Sequence, residues 1–441
     1  MQFAPHTDRD VAEMLEACGL SSLDDLFAHL PAGVLLDREL DVPPGLSEME
    51  LVAEMRRLAA RNRSADDLVC FAGGGAYDHY VPALVWALAG RSELYTSYTP
   101  YQPELSQGVL QALFEYQSMI CDLTGLEVSN ASLYDGPTAL VEAAHMAAGA
   151  TGRSRVVLSG GVDPRYVETL RTYGTGEHFE IEILPYPYPN PAGGGGDRLE
   201  GAAAVVVQHP NVFGLLEDGA RELFEAARGA GARAVQIFDP LSLGVLAPPG
   251  ELGADIAVAE GQVLGNHLNY GGPYLGIVAA RLQDVRRMPG RIVGETTDVD
   301  GNRGFVLTLQ AREQHIRREK ATSNICTNQT LMAVAATVYL AWLGPEGLRE
   351  LGVRCVSKAR YAAERLGDLA GVSLLHPEGE PFKEFAVRTE RPAAEVQARL
   401  LAAGFLTGPV IGEDGLLLSF TERRTREEID ALVKAFEEAA A

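Results

Sequence analysis

Short apolar runs alternate with amphipathic stretches through the middle of the chain. Runs rich in β-branched residues are typical of buried strands, whereas apolar residues at helical spacing are typical of amphipathic helices. The runs predict strands at residues 156–159, 181–184, 203–208, 235–239, 255–259 and 275–279. Helices are predicted at residues 163–173 and 217–228. This alternation predicts βαβ units and a mainly parallel sheet with helices on both faces.

The pattern is different before this middle region. Short helices are predicted around residues 11–15 and 48–58, with Asp8 or Asp10 as the N-cap of the first. An aromatic and proline-rich stretch at residues 94–108 excludes a regular helix at its start, and a helix is predicted at residues 105–121. We therefore expect an N-terminal helical segment at residues 1–65.

The pattern changes again after about residue 315. Long helices are predicted at residues 331–343 and 345–370. Strands at 385–388 and 416–420 then alternate with helices at 393–403 and 425–438. We expect a large α/β domain at residues 66–325, followed by linking helices and a small C-terminal α/β domain at residues 326–441. The glycine run at residues 193–196 predicts a surface loop.

Charge and cysteine content exclude several functions. Lys and Arg number 37 against 60 Asp and Glu, giving a net charge of −23, which argues against binding to nucleic acid or an anionic membrane. No signal peptide or bilayer-spanning stretch is predicted, so we expect a cytoplasmic protein. Five cysteines without C-x-x-C or metal-ligand spacing predict reduced thiols and no metal site: Cys18, Cys70, Cys121, Cys326 and Cys355.

The segment NASLYDGPTAL at residues 130–140 leads small residues into an apolar helix. Free backbone N–H groups and the positive end of the helix dipole make such a helix start suited to a phosphate. Gly136 and Thr138 are therefore candidate phosphate-binding residues. The alternative is an ordinary N-capped helix without a ligand.

Asp239 ends the apolar run AVQIFD. In the aspartate-aminotransferase class of pyridoxal-phosphate enzymes, whose layout matches the predicted elements, an Asp at a strand end pairs with the pyridine nitrogen of the cofactor. The alternative is an Asp that caps the following turn. The cofactor lysine of such an enzyme should follow the next strand, near residues 265–271, but that sequence is GNHLNYG. Asn269 and its neighbours provide no amine for a Schiff base.

Only four lysines are present: Lys320, Lys358, Lys383 and Lys434. Lys358 and Lys434 fall on amphipathic helices, and Lys383 falls at the start of a predicted strand. Lys320 is the one candidate for an activated amine, because several cationic residues precede it in REQHIRREK. The alternative for Lys320 is a charged helix end near an interface.

Five long motifs resemble the glycine cleavage system P-proteins, which are glycine dehydrogenases (decarboxylating). They are YTSYTPYQPELSQG at residues 95–108, CDLTGLEVSNASLYDGPTA at 121–139, YGGPYLG at 270–276, MPGRIVG at 288–294 and REQHIRREKATSNICT at 312–327. The resemblance covers essentially the whole chain and is to the N-terminal half, or α subunit, of the family. It implies that the cofactor lysine lies in the other half, the β subunit.

The resemblance also implies an activity and partners. The complete enzyme decarboxylates glycine with pyridoxal phosphate and transfers the aminomethyl group to the lipoyl arm of H-protein. Pyridoxal phosphate is expected on the β subunit, and two α with two β chains form a plausible symmetric assembly. A pocket in this chain would be vestigial, with Gly136, Thr138, Asp239 and Asn269 as its remnants.

Two segments are then expected to reach the active site of the β subunit. One is the tyrosine loop, with Tyr95, Tyr98 and Tyr101 offering hydroxyls and ring faces. The other contains the Thr322-Ser323-Asn324 turn, expected to donate to a phosphate, and three arginines expected to hold a carboxylate or the acidic H-protein: Arg312, Arg317 and Arg318. Interface packing is the alternative for the tyrosines. For the whole chain, the alternatives are a self-sufficient enzyme using Lys320 and a purely structural partner of β.

Overall fold

The computed structural model describes residues 5–31, 33–36, 38–177, 179–187, 196–325 and 327–440. Residues 193–195 of the glycine run and Cys326 lie outside the described residues. The chain divides into two compact units, Met1–Arg63 and Ser64–Ala441.

Two helices with matching caps form the first unit. They are α1 (Asp8–Ala17) and α2 (Glu48–Ala59). The N-cap of α1 is Thr7 and not Asp8 or Asp10, because the Thr7 hydroxyl accepts from the Asp10 backbone N–H while the Asp10 carboxylate accepts from the Thr7 N–H. Ser47 and Glu50 form the same capping box on α2, so each helix start satisfies its own free N–H groups.

The second unit contains the remaining helices and all the strands that the structure describes. The strands are β1 (Val69–Cys70), β2 (Val128–Ser129), β3 (Arg155–Leu158), β4 (Glu180–Ile183), β5 (Ala202–His209), β6 (Arg233–Phe238), β7 (Ile256–Glu260), β8 (Gly276–Ala280), β9 (Ile292–Thr297), β10 (Arg303–Thr308), β11 (Val372–Leu374), β12 (Glu384–Thr389), β13 (Phe405–Leu406), β14 (Val410–Ile411) and β15 (Gly415–Ser419). The helices are α3 (Ala83–Ala89), α4 (Ser92–Tyr95), α5 (Gln107–Thr124), α6 (Gly136–Thr151), α7 (Pro164–Glu177), α8 (Ala220–Gly229), α9 (Pro249–Leu252), α10 (Gln314–Arg317), α11 (Thr330–Gly367), α12 (Ala393–Ala402) and α13 (Arg426–Ala440).

A seven-stranded sheet forms the centre of the large domain, in the order β2-β8-β7-β6-β5-β3-β4. Its strands from β4 to β7 pair in parallel, and β8 pairs antiparallel to β7 and β2. Successive residues of β7 alternate between two hydrophobic cores, Ile256 and Val258 in one and Ala257 and Ala259 in the other. Helices therefore cover both faces, and the predicted mainly parallel sheet is confirmed.

The small domain has a four-stranded antiparallel sheet in the order β11-β12-β15-β14, packed with α12 and α13. The two predicted strands of this domain correspond to β12 and β15. The short β13 pairs in parallel with β1, which joins the first strand of this unit to the small domain. Because β12 begins beside the large domain, its first residues lie next to the carboxyl ends of β6 and β7.

Helix α11 links the two domains and is bent at Gly344, which has φ 59° and precedes Pro345. The two predicted helices are thus confirmed as the halves of one bent element. The expectation that no stretch is long and apolar enough to cross a bilayer is wrong for α11, which meets that criterion by length and composition. Half of the apolar 18-residue stretch of α11 is buried inside the protein. There α11 packs against α3 and α5, so core packing accounts for its composition.

Candidate functional site

Asp239 follows β6 and forms the N-cap of the next turn. Its side chain accepts from the backbone N–H groups of Leu241 at 2.9 Å and Ser242 at 3.3 Å. The turn-capping alternative is therefore present in the structure. The same carboxylate also forms an ion pair with Lys383 through its second oxygen.

Lys383 precedes β12 and extends from the small domain onto the large domain. Its side chain is 2% exposed. The ammonium lies 3.5 Å from the ring centroid of Tyr77 and 3.3 Å from Nε2 of His79, in addition to Asp239. An ammonium needs such partners when it is buried, because an isolated buried charge is very costly. This role was not predicted from the sequence, although a lysine inside the apolar run PFKEFAV is a sign of a buried, paired cation.

Glu384 is the next residue and is buried in the same place. It accepts from the Tyr77 hydroxyl at 2.7 Å and from the Gly74 N–H at 3.0 Å. Burial raises the pKa of the Glu384 carboxyl to about 7. The small domain therefore places one cation and one titratable carboxyl against the segment that follows β1.

Gly136 begins α6, and its N–H donates to Oε2 of Glu260 at 3.0 Å. The other oxygen of Glu260 accepts from the N–H groups of Gln262 at 2.9 Å and Leu275 at 3.1 Å. Burial raises the pKa of Glu260 to about 7, although these N–H groups oppose the shift. Thr138 is engaged with Asp135 in a capping box, so the ordinary N-capped helix is what the structure describes. A side chain at Gly136 would collide with the Tyr166 hydroxyl.

The turn after β7 brings Val263, and not the residues near Asn269, to the cavity that Asp239 and Lys383 line. Asn269 is exposed and does not line this cavity, so the structure does not bring it together with Asp239. The position of the missing amine was predicted near residues 265–271, but the structure places Val263 in the cavity with Asp239 instead. The cavity-lining side chain of this turn is aliphatic, and it cannot form a Schiff base.

The cavity between the domains does not fit pyridoxal phosphate. Its volume is about 50 Å³, enough for a few water molecules, since ~10–15 Å³ holds one. Lys383 already contacts the Asp239 carboxylate, and Glu260 already accepts from the helix start at Gly136. A pyridine ring with its phosphate would have to displace both side chains.

Three side chains beside the cavity have metal-ligand chemistry: His79, Cys355 and Glu422. Nδ1 of His79 is 2.6 Å from Glu422, and Nε2 of His79 faces the Lys383 ammonium. Burial raises the pKa of the Cys355 thiol to about 12, which disfavours the thiolate that a metal would need. Through His79, this group adjoins the Lys383 ion pair.

We predict a pH dependence of stability from Glu384. Its pKa in the folded protein is about 7 against an ordinary 4.5, so the folded state binds the proton more tightly. The free energy of unfolding should fall as pH rises from about 4.5 to 7, by roughly 3 kcal/mol from this carboxyl, and stay constant above that range. Urea unfolding at several pH values measures this fall.

The matched comparison uses Glu384→Gln and the exposed Glu437→Gln. A glutamine can accept from Gly74 and donate to Tyr77, so the first variant should fold. It should lose part of the pH dependence that the wild type and Glu437→Gln retain. Equal pH profiles for all three proteins would contradict the assignment.

The tyrosine loop, residues 95–108, forms an exposed surface away from this cavity. Tyr95 and Tyr101 are exposed, and Tyr98 is 74% exposed. Leu105 and Ile316 add exposed apolar area on this loop and on the segment of residues 312–327. Exposed aromatic and apolar side chains concentrated in two motifs are typical of an interaction surface.

Tyr101 connects the tyrosine loop to the segment of residues 312–327. Its hydroxyl accepts from Nη2 of Arg291 at 3.0 Å, the guanidinium lies 5.3 Å from its ring centroid, and its ring meets that of His315 at 6.2 Å. Arg291 is 3% exposed, and its Nη1 donates to Asn328 at 3.2 Å. Its Nε lies 4.0 Å from Glu313. The sequence analysis did not single out Arg291 as a site residue.

Asn328 extends this network to a strained turn. Its amide donates to the Ala131 carbonyl at 2.8 Å and to the Ser132 hydroxyl at 3.0 Å. Ser132 has φ 110° and is fully buried. A non-glycine residue rarely adopts this conformation, and the surrounding bonds hold it there.

The three candidate arginines have different surroundings. Arg312 donates to the backbone carbonyls of Leu309, Met288 and Gly290, so its guanidinium is used within the chain and does not face solvent as a ligand-binding group. Arg317 and Arg318 are exposed. Lys320 is also exposed and does not line the Asp239 cavity.

The Thr322-Ser323-Asn324 turn lies on the same segment. Thr322 and Ser323 are half-buried and Asn324 is exposed, and the Ser323 hydroxyl accepts from the Ile325 N–H at 3.1 Å. Beside it is an open groove of about 590 Å³, whose lining includes His315, Arg318 and Ile325. The structure thus brings His315 and the tyrosine loop together and places the turn on the adjoining segment.

Comparisons with known proteins agree with the fold and the motifs. The family profile described as "Glycine cleavage system P-protein" matches residues 1–436. The chain is 50% identical over 443 residues to the probable glycine dehydrogenase (decarboxylating) subunit 1 of Moorella thermoacetica, covering 99% of each chain. It is 52% identical over 444 residues to the protein of that name from Carboxydothermus hydrogenoformans, covering 98% of this chain and 99% of the relative.

Solved structures give the same result. The structure of a glycine decarboxylase (P-protein) of the glycine cleavage system, in inhibitor-bound form, matches with a TM-score of 0.92 and 47% identity over 100% of both chains. A cysteine desulfurase from Thermococcus onnurineus NA1 matches with a TM-score of 0.63 at 16% identity, covering 85% of this chain and 95% of that one, and shows the fold alone. The predicted aminotransferase-like fold class is confirmed. The chain belongs to the glycine cleavage system P-protein family.

Proposed function

We propose that this chain is the α subunit of a two-chain glycine decarboxylase and holds no cofactor of its own. The observation that carries this proposal is the narrow cavity of about 50 Å³, in which Lys383 and Glu260 already bind the groups that a cofactor would need. Full-length relatives named as subunit 1 of glycine dehydrogenase (decarboxylating) support it. The name of these relatives implies a second subunit, on which pyridoxal phosphate is expected.

The proposed overall reaction needs that partner and a carrier. Glycine loses its carboxylate as carbon dioxide, and the aminomethyl group passes to the lipoyl arm of H-protein. The lipoyl disulfide takes up the two electrons, so its S–S bond breaks as a bond from sulfur to carbon forms. Cytoplasmic location and an assembly of two α with two β chains belong to the same proposal, supported by the acidic composition and by closed symmetry being the usual form of oligomers.

Within that assembly, this chain's exposed motifs would complete the partner's active site. Tyr95 and Tyr98 present hydroxyls and ring faces, and Tyr101 is oriented by Arg291. Arg317 and Arg318 remain candidates for a carboxylate or the acidic H-protein, and the Thr322-Ser323-Asn324 turn for a phosphate. Arg312 is not proposed for this role, because its guanidinium N–H groups donate to backbone carbonyls of this chain.

Reconstitution tests the proposed function. The purified chain, the partner subunit and their mixture are each assayed for exchange of the glycine carboxylate with bicarbonate. We expect exchange from the mixture and none from this chain alone. Dialysis after incubation with pyridoxal phosphate should leave cofactor absorbance on the mixture and not on this chain. Exchange by the isolated chain that disappears in Lys320→Ala would instead support a self-sufficient enzyme.

Conservative tyrosine variants test whether the loop enters the partner's site. Tyr98→Phe and Tyr95→Phe remove one hydroxyl each and keep the ring, so assembly should be unchanged. Loss of a hydrogen bond made in the transition state should lower exchange by about 10-fold, equivalent to ~1.4 kcal/mol. Tyr173→Phe, an exposed tyrosine on α7, is the matched control. Unchanged rates in both loop variants would leave this chain as a structural partner.

A further inference from the structure

We infer that Lys383 and Glu260 take the places of two charged groups of a cofactor. Lys383 occupies the cation position, beside the Asp239 carboxylate, and Glu260 occupies the anion position, at the start of α6. The geometry assigns both roles within one cavity, which Asp239, Glu260 and Lys383 line together. The inference deepens the proposed function and rests on it, because both depend on a cavity that holds no cofactor. The rescue experiments below test the two side chains alone, whereas reconstitution with the partner tests the activity.

The cation position follows from the chemistry of the strand end. An Asp beside a bound pyridine ring normally faces a protonated ring nitrogen. Here the same kind of carboxylate faces the Lys383 ammonium, which is held between Asp239, the Tyr77 ring and His79. A flat pyridinium and a buried ammonium each supply one positive charge to the carboxylate. With the ammonium present, Asp239 is neutralised without a ligand.

The anion position follows from the start of α6. This helix has 16 residues, and its first N–H group belongs to Gly136. A phosphate or carboxylate is stabilised at such a helix start by the free N–H and the helix dipole. Glu260 supplies the carboxylate from the end of β7, and its other oxygen is fixed by the Gln262 and Leu275 N–H groups. The Gly136 N–H at the helix start therefore has a carboxyl acceptor without a bound phosphate.

One structural consequence is that the two domains are joined without a ligand. Lys383 and Glu384 belong to the small domain, whereas Asp239 belongs to the large domain, and Tyr77 contacts both of these small-domain residues. Domains that close around a ligand open when it leaves. Here both members of the ion pair are side chains of the chain itself, so this contact between the domains needs no ligand.

Chemical rescue of Lys383→Ala tests the cation position in the full-length chain. Propylammonium has the atoms that this substitution removes beyond Cβ. The variant should melt about 5 °C below the wild type, because it leaves the Asp239 carboxylate without its cation. Propylammonium chloride should restore at least half of that loss, whereas potassium chloride or sodium acetate at equal concentration should not. Lys434→Ala, on an exposed face of α13, is the matched control and should show neither loss nor rescue.

Rescue of Glu260→Ala tests the anion position with the complementary ligand. Acetate has the atoms that this substitution removes, so sodium acetate should raise the melting temperature of this variant above that in sodium chloride. Propylammonium should have no such effect, and the exposed Glu251→Ala should respond to neither ligand. This arm remains decisive if Lys383→Ala fails to fold.

Two results would overturn the inference. One is the absence of ligand-specific rescue in the variants that fold. The other is a rise in the melting temperature of the wild-type chain with pyridoxal phosphate that exceeds the rise with inorganic phosphate. That second result would show a cavity open to the cofactor.

Discussion

Replacing Arg291 by alanine is expected to lower kcat/KM for glycine of the assembled enzyme by about 100-fold, the largest loss of activity predicted for this chain. Arg291 fixes the Tyr101 hydroxyl at 3.0 Å and is itself fixed by Asn328 at 3.2 Å. Without it, no hydrogen bond described in the structure holds the Tyr101 hydroxyl, and the loop that carries Tyr95 and Tyr98 loses its contact with Arg291. A displacement of about 1 Å in a positioned group can cost 10²-fold in rate.

The control variants separate positioning from stability. Arg291→Ala also removes the arginine beside the buried Glu313, so Arg291→Ala combined with Glu313→Gln removes that carboxyl charge as well. Both proteins should show the same loss in kcat/KM and should still assemble with the partner by size-exclusion chromatography. Arg303→Ala, an exposed arginine paired with Glu295, should retain full activity. Wild-type rates in an assembled Arg291→Ala enzyme would show that the contact between Arg291 and Tyr101 has no role in the activity.

The regular elements were predictable because their signals are local. The strands β3 to β8 appear as short apolar runs, and each prediction begins or ends within a residue or two of the structure. The hairpin of β9 and β10 was missed. Its turn carries the sequence DVDGN at residues 298–302, a recognisable signal, but the two strands are exposed on one side and lack continuous apolar runs.

The candidate sites were less predictable, because they depend on which distant residues meet. Asp239 and Gly136 were identified from strand-end and helix-start chemistry, and both lie at or beside the cavity. Their partners, Lys383 and Glu260, were not identified, since no local pattern states that the start of β12 meets the end of β6. Arg312 was included as a charged residue in a distinctive motif. Only the structure shows that its donors are directed to backbone carbonyls.

The Asp239 cavity and the tyrosine loop differ in whether their polar and aromatic groups find partners within the chain. In the cavity, each charge named above has an internal partner and little volume remains. On the tyrosine loop, aromatic rings stay exposed, and one of them, Tyr101, is bonded to a network of the buried Arg291, the half-buried Asn328 and the buried Ser132. A hydrogen-bond network that fixes an exposed ring is expected where the ring contacts another molecule. This contrast supports a chain whose own site is filled by its own side chains and whose exposed motifs are directed to a partner.

Breaking the Lys383–Asp239 ion pair is expected to cause the largest loss of stability. Lys383→Met keeps most of the volume and removes the ammonium, leaving the Asp239 carboxylate buried without its cation. Removing one member of a buried pair costs about 3–5 kcal/mol, whereas removing both charges is often close to neutral. Asp239→Asn should also be destabilising, because the amide cannot neutralise Lys383. The double variant should be more stable than either single variant, with a free energy of unfolding within about 1 kcal/mol of the wild type.

Urea unfolding of the four proteins at one pH gives the coupling free energy of this cycle. The His79 contact and the Tyr77 ring also hold the ammonium, so part of its environment survives in Asp239→Asn, and that variant should lose less than Lys383→Met. Arg354→Met with Glu350→Gln, an exposed pair at 2.5 Å on α11, is the matched cycle. Its coupling should be below about 0.5 kcal/mol, since solvent screens exposed pairs. If the buried cycle gave additive losses instead, the two side chains would not act as a pair, and the narrow cavity would need another explanation.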